Sequence, residues 1–241
     1  MKYENLQNFI RESVSYSLDR KKFLKYTALS GGSILLGLES CRKHDHPKQS
    51  GKESGPIDVG SGDPGILNFA YALEQLEAAF YIKVNSYFYS GATAAEKSAL
   101  SDIMNHEITH RDFFKAALGS AAIPKLEFDF SSVNFNNRAS VLGTAKALED
   151  TGVSAYNGAG AYIQNPDYLT LAGKIVSVEA RHAAAIRDFL NPKSADFAGD
   201  DVVAPSTGLD FSRTPNAGPS PSIVATANTF LVTKISATKL P

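Results

Sequence analysis

Two short stretches of the chain set a glutamate and a histidine three residues apart: Glu107-Ile-Thr-His110 and Glu179-Ala-Arg-His182. On a helix that spacing puts both side chains on one face, one turn apart, where a carboxylate and an imidazole can grip the same cation. Either pair alone is a weak signal, because such pairs also arise on solvated helix faces. Two further glutamates strengthen it. Ala72-Leu73-Glu74 is followed by Tyr81 and Tyr87, and Ala147-Leu148-Glu149 is followed at the same offsets by Tyr156 and Tyr162. The unit Ala-Leu-Glu, Tyr, Tyr, Glu-x-x-His thus occurs twice, the stretch before the second Glu-x-x-His being shorter by three residues. An internal repeat of this kind predicts a pseudo-twofold bundle whose halves offer matching ligands.

The predicted ligand set is Glu74, Glu107, His110, Glu149, Glu179 and His182. Four ionised glutamates balance two divalent cations, and neutral imidazoles add no charge. Such a cluster can be buried when loaded, whereas four bare carboxylates repel one another and some must protonate. The single cysteine, Cys41, excludes an internal disulfide and a four-cysteine site. Oxygen and imidazole donors in this ratio suit two iron or manganese ions better than a structural zinc.

The elements that must hold these residues are four helices, all-α. Apolar positions recur at helical spacing, and each stripe is polar only at its middle: Leu67, Ala70, Glu74; Ile103, Glu107, His110, Phe114; Leu142, Ala145, Glu149; Ala172, Ile175, Glu179, His182, Ile186. A carboxylate at the centre of an apolar face is costly unless paired or metal-bound. The first helix is expected over 66–89. Thr93 with Glu96 reads as a capping box opening a second that ends at Leu118. The third is expected over 138–162, and Asn165-Pro166 opens a fourth that ends near Leu190. Short loops within each pair make two antiparallel hairpins, and the long stretch between Leu118 and Arg138 is the crossover of a ferritin-like four-helix bundle.

The chain resembles the desiccation-related branch of the ferritin-like superfamily. The resemblance is carried by Ile66-Leu-Asn-Phe-Ala-Tyr-Ala-Leu-Glu74, Leu76-Glu-Ala-Ala-Phe-Tyr81, His106-Glu-Ile-Thr-His110, Phe128-Asp-Phe130, the run Ala147 to Ala159, and Val178-Glu-Ala-Arg-His182. It implies the same six ligands, with Glu107 and Glu149 as bridges or near-bridges. Glu77, one turn from Glu74, competes for the same place; the matched offsets favour Glu74 and leave Glu77 beside the site, and His106 is expected on the surface or between helices. Tyr81 and Tyr156 are read either as partners of a ligand carboxylate or as packing.

The domain order expected is an export signal over 1–41, a flexible linker over 42–65, the bundle over 66–190 and an irregular C-terminal extension over 191–241, with a short docking segment near 221–235. Arg20-Lys21-Lys22 followed by a short weakly polar run resembles a twin-arginine signal with lysine in the second place. Leu38-Glu-Ser-Cys41 resembles a lipoprotein cleavage box. Cys41 would then carry a lipid that tethers the protein to a membrane, in the periplasm or elsewhere in the cell envelope. His44 and His46, in the linker, are expected to be solvated. A net charge of -1 gives no reason to expect nucleic acid as a partner. A tether and tail would obstruct a closed storage cage, while a smaller oligomer stays open. Two functions compete: a di-iron or di-manganese oxidoreductase handling peroxide or oxygen, and a non-catalytic metal-binding stress or desiccation-related protein.

Overall fold

The computed structural model of the protein describes residues 55–199 and 223–240. The expected export signal, Cys41, His44 and His46, and most of the linker lie outside the described residues, as does the tail over 200–222. Four long helices dominate: α1 (Gly62–Tyr87), α2 (Ala94–Leu118), α3 (Arg138–Gly160) and α4 (Pro166–Leu190). α1 and α2 form one hairpin and α3 and α4 the other, and the hairpins meet chiefly through α1 against α3. The fold is the all-α bundle with one long crossover.

Local chemistry explains the helix ends. Thr93 and Glu96 close a reciprocal capping box, with the Thr93 N–H donating to Glu96 Oε2 at 2.8 Å and the Glu96 N–H to Thr93 Oγ1 at 3.2 Å. Asn137 accepts from the Ser140 N–H, and Asn165 accepts from the Asp167 N–H ahead of Pro166 in the first turn of α4. The start of α1 differs from expectation. It begins at Gly62 rather than Ile66, because Pro64 falls in the first turn, where the missing N–H costs nothing.

α1 is buried on almost every side between Gly65 and Ala78. Its inner face meets the bundle, and the crossover covers its outer face. Asn68 donates to Ala121 O at 2.9 Å and accepts from the Ile123 N–H at 2.9 Å, while Gln75 accepts from the Leu126 N–H at 2.9 Å. These amides satisfy backbone groups that the irregular crossover would otherwise bury unpaired.

The C-terminal extension is not wholly irregular. A short helix α5 (Ile223–Thr229) is followed by a strand β2 (Ile235–Ser236), which pairs in parallel with β1 (Ile57–Asp58). Phe230 and Leu231 are buried, and Phe128 bridges Leu231 across an antiparallel contact. Crossover, N-terminal entry and C-terminal segment are therefore tied to one another, and α5 packs against α3. Gly65 is the tight point: a Cβ there would lie 2.6 Å from the Gly60 carbonyl carbon and 2.9 Å from Leu240 Cδ2. Among the described residues no helix is long and apolar enough to cross a membrane.

Candidate metal centre

The four helices bring all six predicted residues to one place. α1 supplies Glu74, α2 Glu107 and His110, α3 Glu149, and α4 Glu179 and His182. The four glutamates are fully buried, with His110 and His182 only 9% and 5% exposed. Two overlapping groups result: Glu74, Glu107, His110 and Glu179, and Glu107, Glu149, Glu179 and His182. Within each group one potential ligand atom per residue lies within 4.8 Å of all the others. His110 Nδ1 sits 2.8 Å from Glu179 Oε1 and 3.3 Å from Glu74 Oε2, and His182 Nδ1 sits 2.7 Å from Glu107 Oε1 and 3.5 Å from Glu149 Oε2.

These approaches lack the alignment of hydrogen bonds. Among the described residues nine buried side-chain oxygens and nitrogens have no hydrogen-bond partner, and eight of them are here: Glu74 Oε2, both oxygens of Glu107 and Glu179, Glu149 Oε2, and Nδ1 of each histidine. A native core satisfies its buried polar atoms with few exceptions, so eight exceptions in one cluster call for an outside partner. Oxygen lone pairs and neutral imidazole nitrogens converging on common points are what a cation accepts, so the donor set fits a metal site.

The remaining oxygens show which carboxylates are shared. Tyr156 on α3 donates its hydroxyl to Glu74 Oε1 across the bundle, and Tyr81 on α1 donates to Glu149 Oε1 at 2.5 Å. Glu74 and Glu149 thus each keep one free oxygen for the cluster. Glu107 and Glu179 keep both, and both belong to the two groups. Glu107 and Glu179 are the two carboxylates common to both groups. Glu149, expected as a bridge or near-bridge, turns one oxygen to the cluster and accepts the Tyr81 hydroxyl with the other.

Electrostatics express the same crowding. Burial raises the Glu149 carboxyl to about 8 with help from Glu107 and Glu179, against the pull of His182. Burial and neighbouring carboxylates likewise hold Glu74 well above the usual range. Burial would also raise Glu107, but His110 and His182 beside it bring it down to about 2. Burial would lower both imidazoles, yet the carboxylates around them push each up to about 12. The pocket demands positive charge, from protons or from cations.

Four neighbours complete the site. His106, expected on the surface or between helices, is exposed as a residue but reaches back across the α2–α4 seam, its Nδ1 2.8 Å from His182 Nε2. Glu77 is 2% exposed and lies outside both groups. Its Oε1 is 3.2 Å from where a Cβ on Gly152 would stand, so the bare Gly152 backbone gives that carboxylate its room. Beside Tyr156 lies an apolar cavity of about 40 Å³, whose walls include Leu73, Phe114, Ala159 and Ile175. Arg111 pairs with Asp112 and Arg181 with Ser177, so neither reaches the cluster. The tyrosine hydrogen bonds were open in the sequence and are now explicit, whereas the His106 contact had no spacing signal.

The model of the ferritin-like domain matches residues 62–192, more than half of the chain. The protein belongs to the ferritin-like domain family. No curated protein matches its sequence.

Proposed function

We propose that the cluster is a dinuclear centre for iron or manganese, with Glu74, Glu107, His110, Glu149, Glu179 and His182 as ligands and Glu107 and Glu179 shared. The observation that carries this reading is the set of eight buried atoms without a hydrogen-bond partner, on residues that fall into two groups sharing two carboxylates. When bound, such ions would supply redox and Lewis-acid chemistry. The chain's own residues would bind and orient: Tyr156 and Tyr81 would aim the free oxygens of Glu74 and Glu149, and the apolar cavity walls would exclude water. The activity proposed is reduction of peroxide or oxygen, or oxidation of ferrous iron. Metal analysis of protein purified from its native compartment, followed by peroxide and ferrous-oxidation assays of the loaded protein, tests it. Turnover no higher than that of free metal would overturn the enzymatic part.

The complete burial of all four glutamates favours a second reading, a non-catalytic stress or desiccation-related protein whose fold the metals hold together. Melting with and without chelator, beside the activity assays, separates the two. We further propose that residues 1–41 are an export signal and that Cys41 is lipidated, tethering the bundle in the periplasm or elsewhere in the envelope. Loss of membrane association in Cys41→Ala is the expected result.

A further inference from the structure

The two halves present their histidines differently. His110 and His182 both aim Nδ1 into the cluster. The outer nitrogen of His182 meets His106 Nδ1 at 2.8 Å, and the two ring planes differ by only 17°. Ring centroids 5.1 Å apart agree with an in-line contact between nitrogens rather than a face-to-face stack. Among the described residues nothing hydrogen-bonds the outer nitrogen of His110. The repeat explains why. Glu107 matches Glu179 and His110 matches His182, so the residue matching His106 is Val178, which has no side-chain donor or acceptor.

We propose that His106 is a positioning residue that makes the two metal positions unequal, holding the ion on His182 more tightly than the ion on His110. The proposal rests on the dinuclear reading above. An imidazole that binds metal through Nδ1 must carry its proton on Nε2. That proton of His182 needs an acceptor, and His106 Nδ1 is placed to be one, provided His106 keeps its own proton on Nε2. The hydrogen bond selects the binding tautomer of His182, locks the ring and raises its basicity as a ligand. His110 must find its tautomer and rotation without such a partner.

The test is calorimetric titration of the apo full-length chain with Co(II), following the visible bands of the bound ion. The wild-type chain is expected to take two equivalents in resolved steps. His106→Leu should weaken the tighter step about 10–100-fold, the usual cost of losing such a partner, and leave the other unchanged. His106→Gln, whose amide oxygen can accept the same hydrogen bond, should recover most of that loss. In the Zn(II)-loaded wild type, nitrogen-15 NMR should find the His182 proton on Nε2. Equal weakening of both steps, no weakening, or a proton on the other nitrogen would overturn the proposal while leaving two bound ions in place. Fewer than two equivalents in the wild type would bring down the dinuclear reading, and this proposal with it. Should His106→Leu fail to fold, the glutamine variant and the tautomer measurement still decide.

Discussion

The two hairpins carry one ligand pattern but not one environment. Glu74, Tyr81 and Tyr87 in the first match Glu149, Tyr156 and Tyr162 in the second at a constant offset. The tyrosine hydrogen bonds run reciprocally between them. Around this symmetric centre the halves diverge. Glu77 in the first half corresponds to Gly152 in the second, and those two residues face each other across the bundle axis. His106 corresponds to Val178. The difference teaches that the halves match where their glutamates and histidines converge on one buried pocket. The next layer out can differ, and each difference gives one half something the other lacks.

The largest effect should come from abolishing what the halves share. Stripping metal with chelator is expected to cost about 4 kcal/mol of unfolding free energy for each position held at a thousandfold excess over its Kd. Melting curves with and without chelator measure it, and equal curves would sink the idea that cations stabilise both halves. Glu179→Ala should lose both ions, since Glu179 belongs to both groups, while Glu74→Ala should lose only one. Metal-to-protein ratios after dialysis discriminate the two.

The reciprocal tyrosines offer a symmetric test. Tyr81→Phe and Tyr156→Phe each remove a buried hydrogen bond to a carboxylate, at about 1.5–3 kcal/mol. Denaturant titration should give similar values for the two. A large difference would show that the halves are unequal even in this layer. At the asymmetric pair, Gly152→Ala would bring a methyl group to 3.2 Å from Glu77 Oε1, a crowding cost set against the about 1 kcal/mol of helix propensity that alanine gains over glycine. Adding Glu77→Ala should relieve part of that cost in a double-mutant cycle; additive costs would mean the two residues do not meet.

The smallest effects lie at the helix starts, where the halves use different caps. Thr93→Ala should cost about 1 kcal/mol, and Asn165→Ala a similar amount. The first cap includes the Glu96 carboxylate, whereas at the second the Asp63 carboxylate accepts the Asn165 N–H at 2.9 Å. Burial would raise the Glu96 carboxyl, but the Thr93 N–H and Arg138 hold it down to about 2 against an ordinary 4.5. Because the folded value is depressed, the Glu96 contribution is full above about pH 4.5 and disappears as the pH falls through about 2. Melting of wild type and Glu96→Gln between pH 6 and pH 2 should converge at the acid end.

Much of this molecule was legible before any coordinates. The Thr93–Glu96 box and the Asn165-Pro166 start are signals written within four residues of each other, and α2 and α4 begin where they say. The paired Glu-x-x-His and the Ala-Leu-Glu repeat named six residues that do converge. Three features were not legible. Which oxygens stay free for the cluster depends on Tyr81 reaching Glu149 from another helix. The His106–His182 contact joins residues 76 apart in sequence across the seam between α2 and α4. The pairing of β2 with β1 joins the two ends of the described region through two residues each, too short for any alternation to register.

Helix location, capping and the inventory of polar residues on apolar faces were determined by the sequence alone, because each rests on the 3.6-residue period and on contacts within one turn. Which carboxylate is shared, which histidine has a partner for its outer nitrogen, and which glycine makes room for Glu77 were decided only by the tertiary structure. Those outcomes depend on how four helices rotate and cross against one another, and a shift of a single ångström in that packing would change which atoms meet.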